Sequence, residues 1–151
     1  MNTTTYSFGR PVQNLTEASI IFKDCLVRRE FSAMLKDHHV DVRELLNQSL
    51  DDGECYSFGI DTDFSLDTFF NSDTQQDLID EIRTQETDGQ LLLGSVLLSL
   101  EDADVTVFYL FSNSCSYINE ESLLYLLAVG LTIENSNGMI QTSFVPVGGV
   151  A

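Results

Sequence analysis

Leu91-Leu92-Leu93-Gly94-Ser95-Val96-Leu97-Leu98-Ser99-Leu100 and Val105-Thr106-Val107-Phe108-Tyr109-Leu110-Phe111 are apolar at odd and even positions alike, with the acidic stretch Glu101-Asp102-Ala103-Asp104 between them. A strand with one wet face alternates, whereas a strand apolar on both faces is covered on both. These two stretches read as central strands joined by a turn, and they decide the fold class: α+β, an antiparallel sheet with helices packed mainly on one face.

Downstream, Leu131 to Glu134 and Met139 to Val145 form a hairpin across Asn135-Ser136-Asn137-Gly138. Asn119 reads as the cap of a helix over 120–129 that Gly130 stops. Upstream, Glu54 to Ile60 alternates as a half-buried strand does, and Phe64 to Phe70 reads as its hairpin partner across Asp61-Thr62-Asp63. Asp73 reads as the cap of a helix to about Thr84. Near the N-terminus, Thr16 is the expected cap of a long helix over 17–36 whose apolar face is Ile20, Val27, Phe31 and Met34. Asp37-His38-His39-Val40 breaks it, and Asp41 with Glu44 resembles a capping box for a short helix through Ser49. The expectation is one domain over 1–151, with an extended arm at 1–15 and a loose tail at 146–151.

Charge is distributed very unevenly along this framework. From Glu44 to Ala151 there are 19 Asp and Glu against one base, Arg83, while the first 43 residues hold six bases and five acids. The net charge is −17. Such a body repels phosphate and attracts basic surfaces, which argues against direct nucleic-acid binding and against anionic membranes. The aromatic content, ten Phe and five Tyr, is that of a folded chain rather than an acidic disordered one. Alanine is scarce at five residues, which argues against adaptation to high salt as the origin of the acidity.

The opening residues lack a basic stretch followed by an apolar core, and the longest apolar run, Leu123 to Leu131, is nine residues. A bilayer span needs about 20. Cys25, Cys55 and Cys115 are odd in number and far apart, so they read as reduced thiols. Together these features point to a cytoplasmic protein, in the cytoplasm of a host cell if the chain is phage-encoded.

The segment 44–83 carries the sharpest signal, with 11 acids. On a helical wheel with Asp73 at 0°, Asp77 falls near ~40°, Asp80 near ~340° and Glu81 near ~80°, while Leu78, Ile79 and Ile82 fall between ~140° and ~240°. One face is carboxylate, the other is oil, and no lysine is interleaved. Asp51, Asp52, Glu54, Asp61, Asp63 and Asp67 lie just upstream. Like charges one turn apart cost a few tenths of a kcal/mol each, so an exposed helix face usually mixes signs. A surface that accepts this repulsion is a candidate for presenting a phosphate-like field to a basic groove. The mimicry would be of field, because the ~5.4 Å helical pitch does not match the ~3.4 Å spacing of DNA phosphates.

Other chemistry finds little support. Asp61 to Asp67 opens like a calcium loop, but Leu66 stands where glycine is required and Ser72 where a bidentate Glu is required, so no metal site is expected there. His38 and His39 lack further histidine partners and read as part of an interhelical loop. No P-loop, GxGxxG, GxSxG or HExxH motif occurs, and the spacing suggests no Cys–His dyad. The chain therefore reads as a non-catalytic binding protein without cofactor. Its expected partner is a basic protein or nucleoprotein complex, which it would block with Asp51, Asp52, Glu54, Asp61, Asp63, Asp67, Asp73, Asp77, Asp80 and Glu81. Phage anti-CRISPR and anti-restriction proteins and nuclease immunity proteins work in this way. The alternative expectation is an acidic dimeric secretion chaperone or a small virion component. In a homodimer, the base-bearing helix of one copy would face the acids of another.

Overall fold

The computed structural model describes residues 7–50, 54–59, 66–71, 73–85, 90–101, 103–112 and 124–148. Its elements in chain order are β1 (Arg10–Val12), α1 (Leu15–Cys25), α2 (Arg29–Asp37), α3 (Val42–Leu46), β2 (Glu54–Gly59), a 3₁₀ turn (Leu66–Thr68), α4 (Gln76–Gln85), β3 (Gln90–Ser99), β4 (Ala103–Ser112), β5 (Leu124–Asn135) and β6 (Ile140–Pro146). The architecture is α+β. All strand pairs are antiparallel, in the order β2-β3-β4-β5, and the far side of β5 is shared by β1 and β6.

The two stretches apolar on both faces are β3 and β4, each flanked by strands on both sides. Alternate residues feed two cores. Val96, Leu98, Val105, Val107, Tyr109, Leu131 and Ile133 face a layer made by α1, α2 and α3, through Phe22, Phe31, Met34 and Leu45. Leu91, Leu93, Leu110 and Ala128 face Leu66, Phe69 and Phe70 together with Ile79 and Ile82 of α4. Three of the four helices thus cover one face, and α4 covers part of the other. Tyr109, fully buried, donates its hydroxyl to the Leu50 carbonyl at 2.8 Å, which ties β4 to the chain leaving α3.

The expected long helix over 17–36 is two helices. The chain leaves α1 at Leu26, and Arg28 is extended (φ −67°, ψ 147°) before α2 begins. The break lets Phe22 and Phe31 both point inward, with ring centroids 5.8 Å apart. A continuous helix would have buried Ile20 and Val27; these are 56% and 84% exposed, and α1 instead buries Ala18, Ser19, Phe22 and Cys25. Asn14, not Thr16, caps α1, its Oδ1 accepting from the Glu17 amide at 3.0 Å. Asp41 does cap α3, accepting from the Arg43 amide at 2.9 Å, but the helix ends at Leu46 rather than Ser49.

Three further expectations are corrected. The helix expected over 120–129 is strand from Leu124 onward, and Gly130 is not a stop but a mid-strand residue opposite Phe144; residues 113–123 lie outside the described residues. Of the strand expected over Phe64 to Phe70, residues 66–70 do not pair with β2, whose partner is β3, and the turn at 61–63 with Phe64 and Ser65 lies outside the described residues; Leu66 to Thr68 form the 3₁₀ turn, and Leu66, Phe69 and Phe70 are buried. Helix α4 starts at Gln76, and Asp73 belongs to the turn before it. There the Asp73 amide donates to Asn71 Oδ1 at 2.9 Å, and the Asn71 amide donates to Gln75 Oε1 at 2.8 Å. The hairpin across 135–138 forms as read, between β5 and β6.

The described residues of the segments expected as arm and tail, 7–15 and 146–148, carry structure of their own. Phe8 and Val12 are buried in the two different cores, with β1 pairing to β5 beside them. Pro146 closes β6, and Val147 is buried, donating its amide to Leu127 O and accepting from the Gly9 amide.

Candidate functional site: an acidic face on α4

The sequence of α4 separates its faces cleanly. Ile79 and Ile82 are buried and Leu78 is half-buried, whereas Asp77 and Asp80 are exposed. Asp73, in the preceding turn, is exposed as well. Gln76 Nε2 donates to Asp80 Oδ1 at 2.9 Å, a neutral contact that holds the carboxylate without cancelling its charge. The helix carries one base, Arg83, in its last turn, where a cation complements the helix dipole.

Glu81 differs from its neighbours. It is half-buried, and its carboxylate accepts from both the amide and the hydroxyl of Ser7. It fastens the N-terminal segment to α4 rather than standing free. Next to Ser7, Phe8 packs edge-on against Phe70, with centroids 5.8 Å apart.

Of the remaining predicted residues, Asp67 is exposed on the 3₁₀ turn, whose Leu66 shares the α4 core. Glu54 is exposed at the start of β2, opposite Ser95. Asp51, Asp52, Asp61 and Asp63 lie outside the described residues. Asp77 and Asp80 thus share the exposed side of α4, Asp73 lies in the turn before it, Asp67 lies on the 3₁₀ turn whose Leu66 packs in the same core cluster, and Glu54 lies on the edge strand β2.

Apart from Arg83, the bases lie elsewhere. Arg28, Arg29 and Lys36 are exposed on and beside α2, on the opposite face of the sheet from α4. The acidic face thus has no internal counterpart in the basic helix. Arg43 Nε reaches Asp41 Oδ1 at 3.8 Å, but both side chains are largely exposed, and such pairs contribute little.

Two features escaped the sequence reading. A groove of about 560 Å³ runs between α2 and the start of α3, lined by Leu26, Val27, Leu35, Val40 and Val42 with Lys36 and Asp41 at its rim. Helical periodicity places Val27 on the apolar face, so nothing in the sequence marks its exposure. His38 is buried, not in a loop facing water: its Nε2 lies 3.0 Å from Gln141 Oε1, and its Nδ1 lies 3.5 Å from Asn135 Nδ2. It pins the end of α2 to both strands of the β5–β6 hairpin. Among the described residues no three His, Cys, Asp or Glu side chains are grouped to hold a metal, and no helix is long and apolar enough to cross a membrane.

Comparison with protein-family models, with curated proteins and with solved structures returns no match.

Proposed function

We propose that this protein is a non-catalytic acidic binding protein that occupies the nucleic-acid groove of a basic partner, presenting carboxylates in place of phosphates. The observation that carries this reading is the α4 face. Asp73, Asp77 and Asp80 are exposed together, the apolar side of the same helix is buried, and the bases of α2 lie across the sheet. A helix serving only to cover a core would gain by interleaving lysine with these acids. Glu54 and Asp67 extend the field, and Glu81 anchors the Ser7 segment against the helix. Inhibitors of host defence systems, such as anti-CRISPR and anti-restriction proteins, and nuclease immunity proteins are the functional classes that use such a surface.

The test is capture of partners from the native host at stepped salt, with the wild-type chain and with Asp73→Asn/Asp77→Asn/Asp80→Asn. The expected partner binds nucleic acid, is displaced by added DNA, is lost as salt rises from 50 to about 200 mM, and does not bind the variant. A partner that binds wild type and variant alike, indifferent to salt and DNA, overturns the reading.

A second reading draws on the groove beside α2 and on exposed Ile20, Val27, Val42 and Leu46. Contiguous apolar surface marks binding to protein, as in an acidic dimeric secretion chaperone or a small virion component. In that case the captured polypeptide stays bound at high salt, and sizing gives a dimer holding one client.

A further inference from the structure

In a chain with 24 acids and seven bases, two exposed arginines line one small pocket, and neither forms an ion pair among the described residues. The pocket is open to solvent on one side and has a volume of about 230 Å³. Arg10 and Arg28 flank it, Ile21 and Val147 give it an apolar wall, and Asp24, Cys25 and Gly148 complete it.

Both arginines spring from fixed backbone. Arg10 lies in β1, in register with Leu126 of β5. Arg28 sits between α1 and α2; its amide donates to Cys25 O at 2.9 Å, and its carbonyl accepts from the amides of Phe31 and Ser32. Gly148 packs against the Arg10 side chain at φ +47°, where an added β-carbon would stand 3.2 Å from Nε. The glycine lets the backbone close behind the guanidinium.

We propose that this pocket binds a small phosphate-class oxyanion between Arg10 and Arg28. Two planar guanidiniums suit a tetrahedral dianion, to which each can donate in pairs. The volume equals about seven or eight waters at ~30 Å³ each, enough for one such anion and its residual hydration and below the ~300 Å³ where pockets for larger organic ligands begin. The Cys25 thiol in the lining is a weak donor and adds no charge while protonated. Asp24 is the opposing carboxylate in the lining, so the pocket's formal charge is positive by one. The site is independent of the acidic face of α4, which lies across the sheet.

The test titrates inorganic phosphate into the full chain at constant ionic strength near 0.1 M, where the field of the acidic body is screened beyond about 10 Å. The signals followed are the Nε–H resonances of Arg10 and Arg28 and the amide of Gly148. Sodium chloride and sodium acetate serve as control titrations. Saturable shifts with phosphate, exceeding those from chloride and acetate, are expected. Arg10→Gln and Arg28→Gln should each weaken binding by about 10- to 100-fold, the size of one lost charge-assisted hydrogen bond. Asp24→Asn should tighten it by about fivefold or more, fivefold being the repulsion between two unit charges at roughly 4 Å in water and the ligand carrying more than one. A gain of this kind cannot come from damage to the fold. No saturation, a response equal to that of chloride or acetate, or no tightening in Asp24→Asn overturns the proposal.

Discussion

The ring of Phe144 lies so close to Gly130 that a β-carbon on the glycine would stand 2.2 Å from Cδ2 and Cε2 of the ring. The two residues are register partners in β5 and β6, and Phe144 also meets Phe69 edge-on at 4.7 Å and Phe108 at 5.7 Å. The missing side chain in β5 is what lets the hairpin fold an aromatic onto the sheet face that carries the α4 core.

Gly130→Ala is therefore expected to destabilise the protein by about 1–3 kcal/mol, as overpacking of a filled core does. Denaturant unfolding measures it. Adding Phe144→Leu should restore part of the loss, so the double mutant should lie above the sum of the singles. Strict additivity would contradict the contact.

His38 holds α2 to the hairpin through Gln141 and Asn135. Asn135 is itself engaged, its Oδ1 accepting from the amides of Asn137 and Met139 in the turn. His38→Ala should cost about 1–3 kcal/mol by leaving these groups without their partner. The cycle with Gln141→Ala should show coupling of at least about 0.5 kcal/mol. Independent effects would mean that the contact carries no energy.

His39 is the residue after the cap of α2 and has φ +58°. The Val40 amide reaches Leu35 O at 2.9 Å and the His39 amide reaches Lys36 O at 3.1 Å, the pair of bonds that define a Schellman motif. A non-glycine residue there costs roughly 1–2 kcal/mol, and glycine costs roughly 0.5–1 kcal/mol in added unfolded-state freedom. His39→Gly should stabilise the fold by about 0.5–1 kcal/mol in urea unfolding. A lower midpoint would mean that the imidazole itself contributes.

Burial pushes the Cys25 thiol up from its ordinary value; Arg28 opposes the shift, Asp24 adds to it, and Arg10 opposes it. The folded chain thus holds this proton more tightly than the unfolded chain. The resulting stability is complete below the unfolded thiol value of about 8.5 and is lost as pH rises through the folded value. With Cys55 and Cys115 changed to Ser, the pH midpoint for iodoacetamide reaction should be higher in the native chain than in denaturant. The stability advantage over Cys25→Ala should shrink above about pH 8.5. A native midpoint at or below the denatured one would refute the assignment.

Asp80→Asn should raise stability at low salt by a few tenths of a kcal/mol through relief of like-charge repulsion with Asp77 and Glu81, while Asp77 stays in the first turn of α4, where the helix dipole favours it. Asparagine keeps an acceptor for Gln76, so the local hydrogen bond survives. The gain should fade in 0.5 M salt as screening removes the repulsion. Thermal unfolding at two ionic strengths measures both effects, and a salt-independent gain would point to a cause other than charge.

The sequence by itself determined the centre of the sheet and the polarity of α4. Leu91 to Leu100 and Val105 to Phe111 are apolar on both faces, and a strand with that pattern has no stable place except between neighbours. The 3.6-residue period of α4 likewise divides its acids from Ile79 and Ile82 without reference to anything else. Tertiary structure decided the rest, because an apolar residue does not announce which partner will bury it. Leu124 to Val129 satisfies helix and strand patterns alike, and only pairing with β4 and the fit of Phe144 against Gly130 make it strand. Ile20 and Val27 lie on a continuous helical stripe, yet the break at Arg28 turns them out so that Phe22 and Phe31 can share one core. The separation of bases from acids along the chain was legible; that the sheet stands between the bases of α2 and the acids of α4 is a property of the fold, set by which side of the sheet each helix covers.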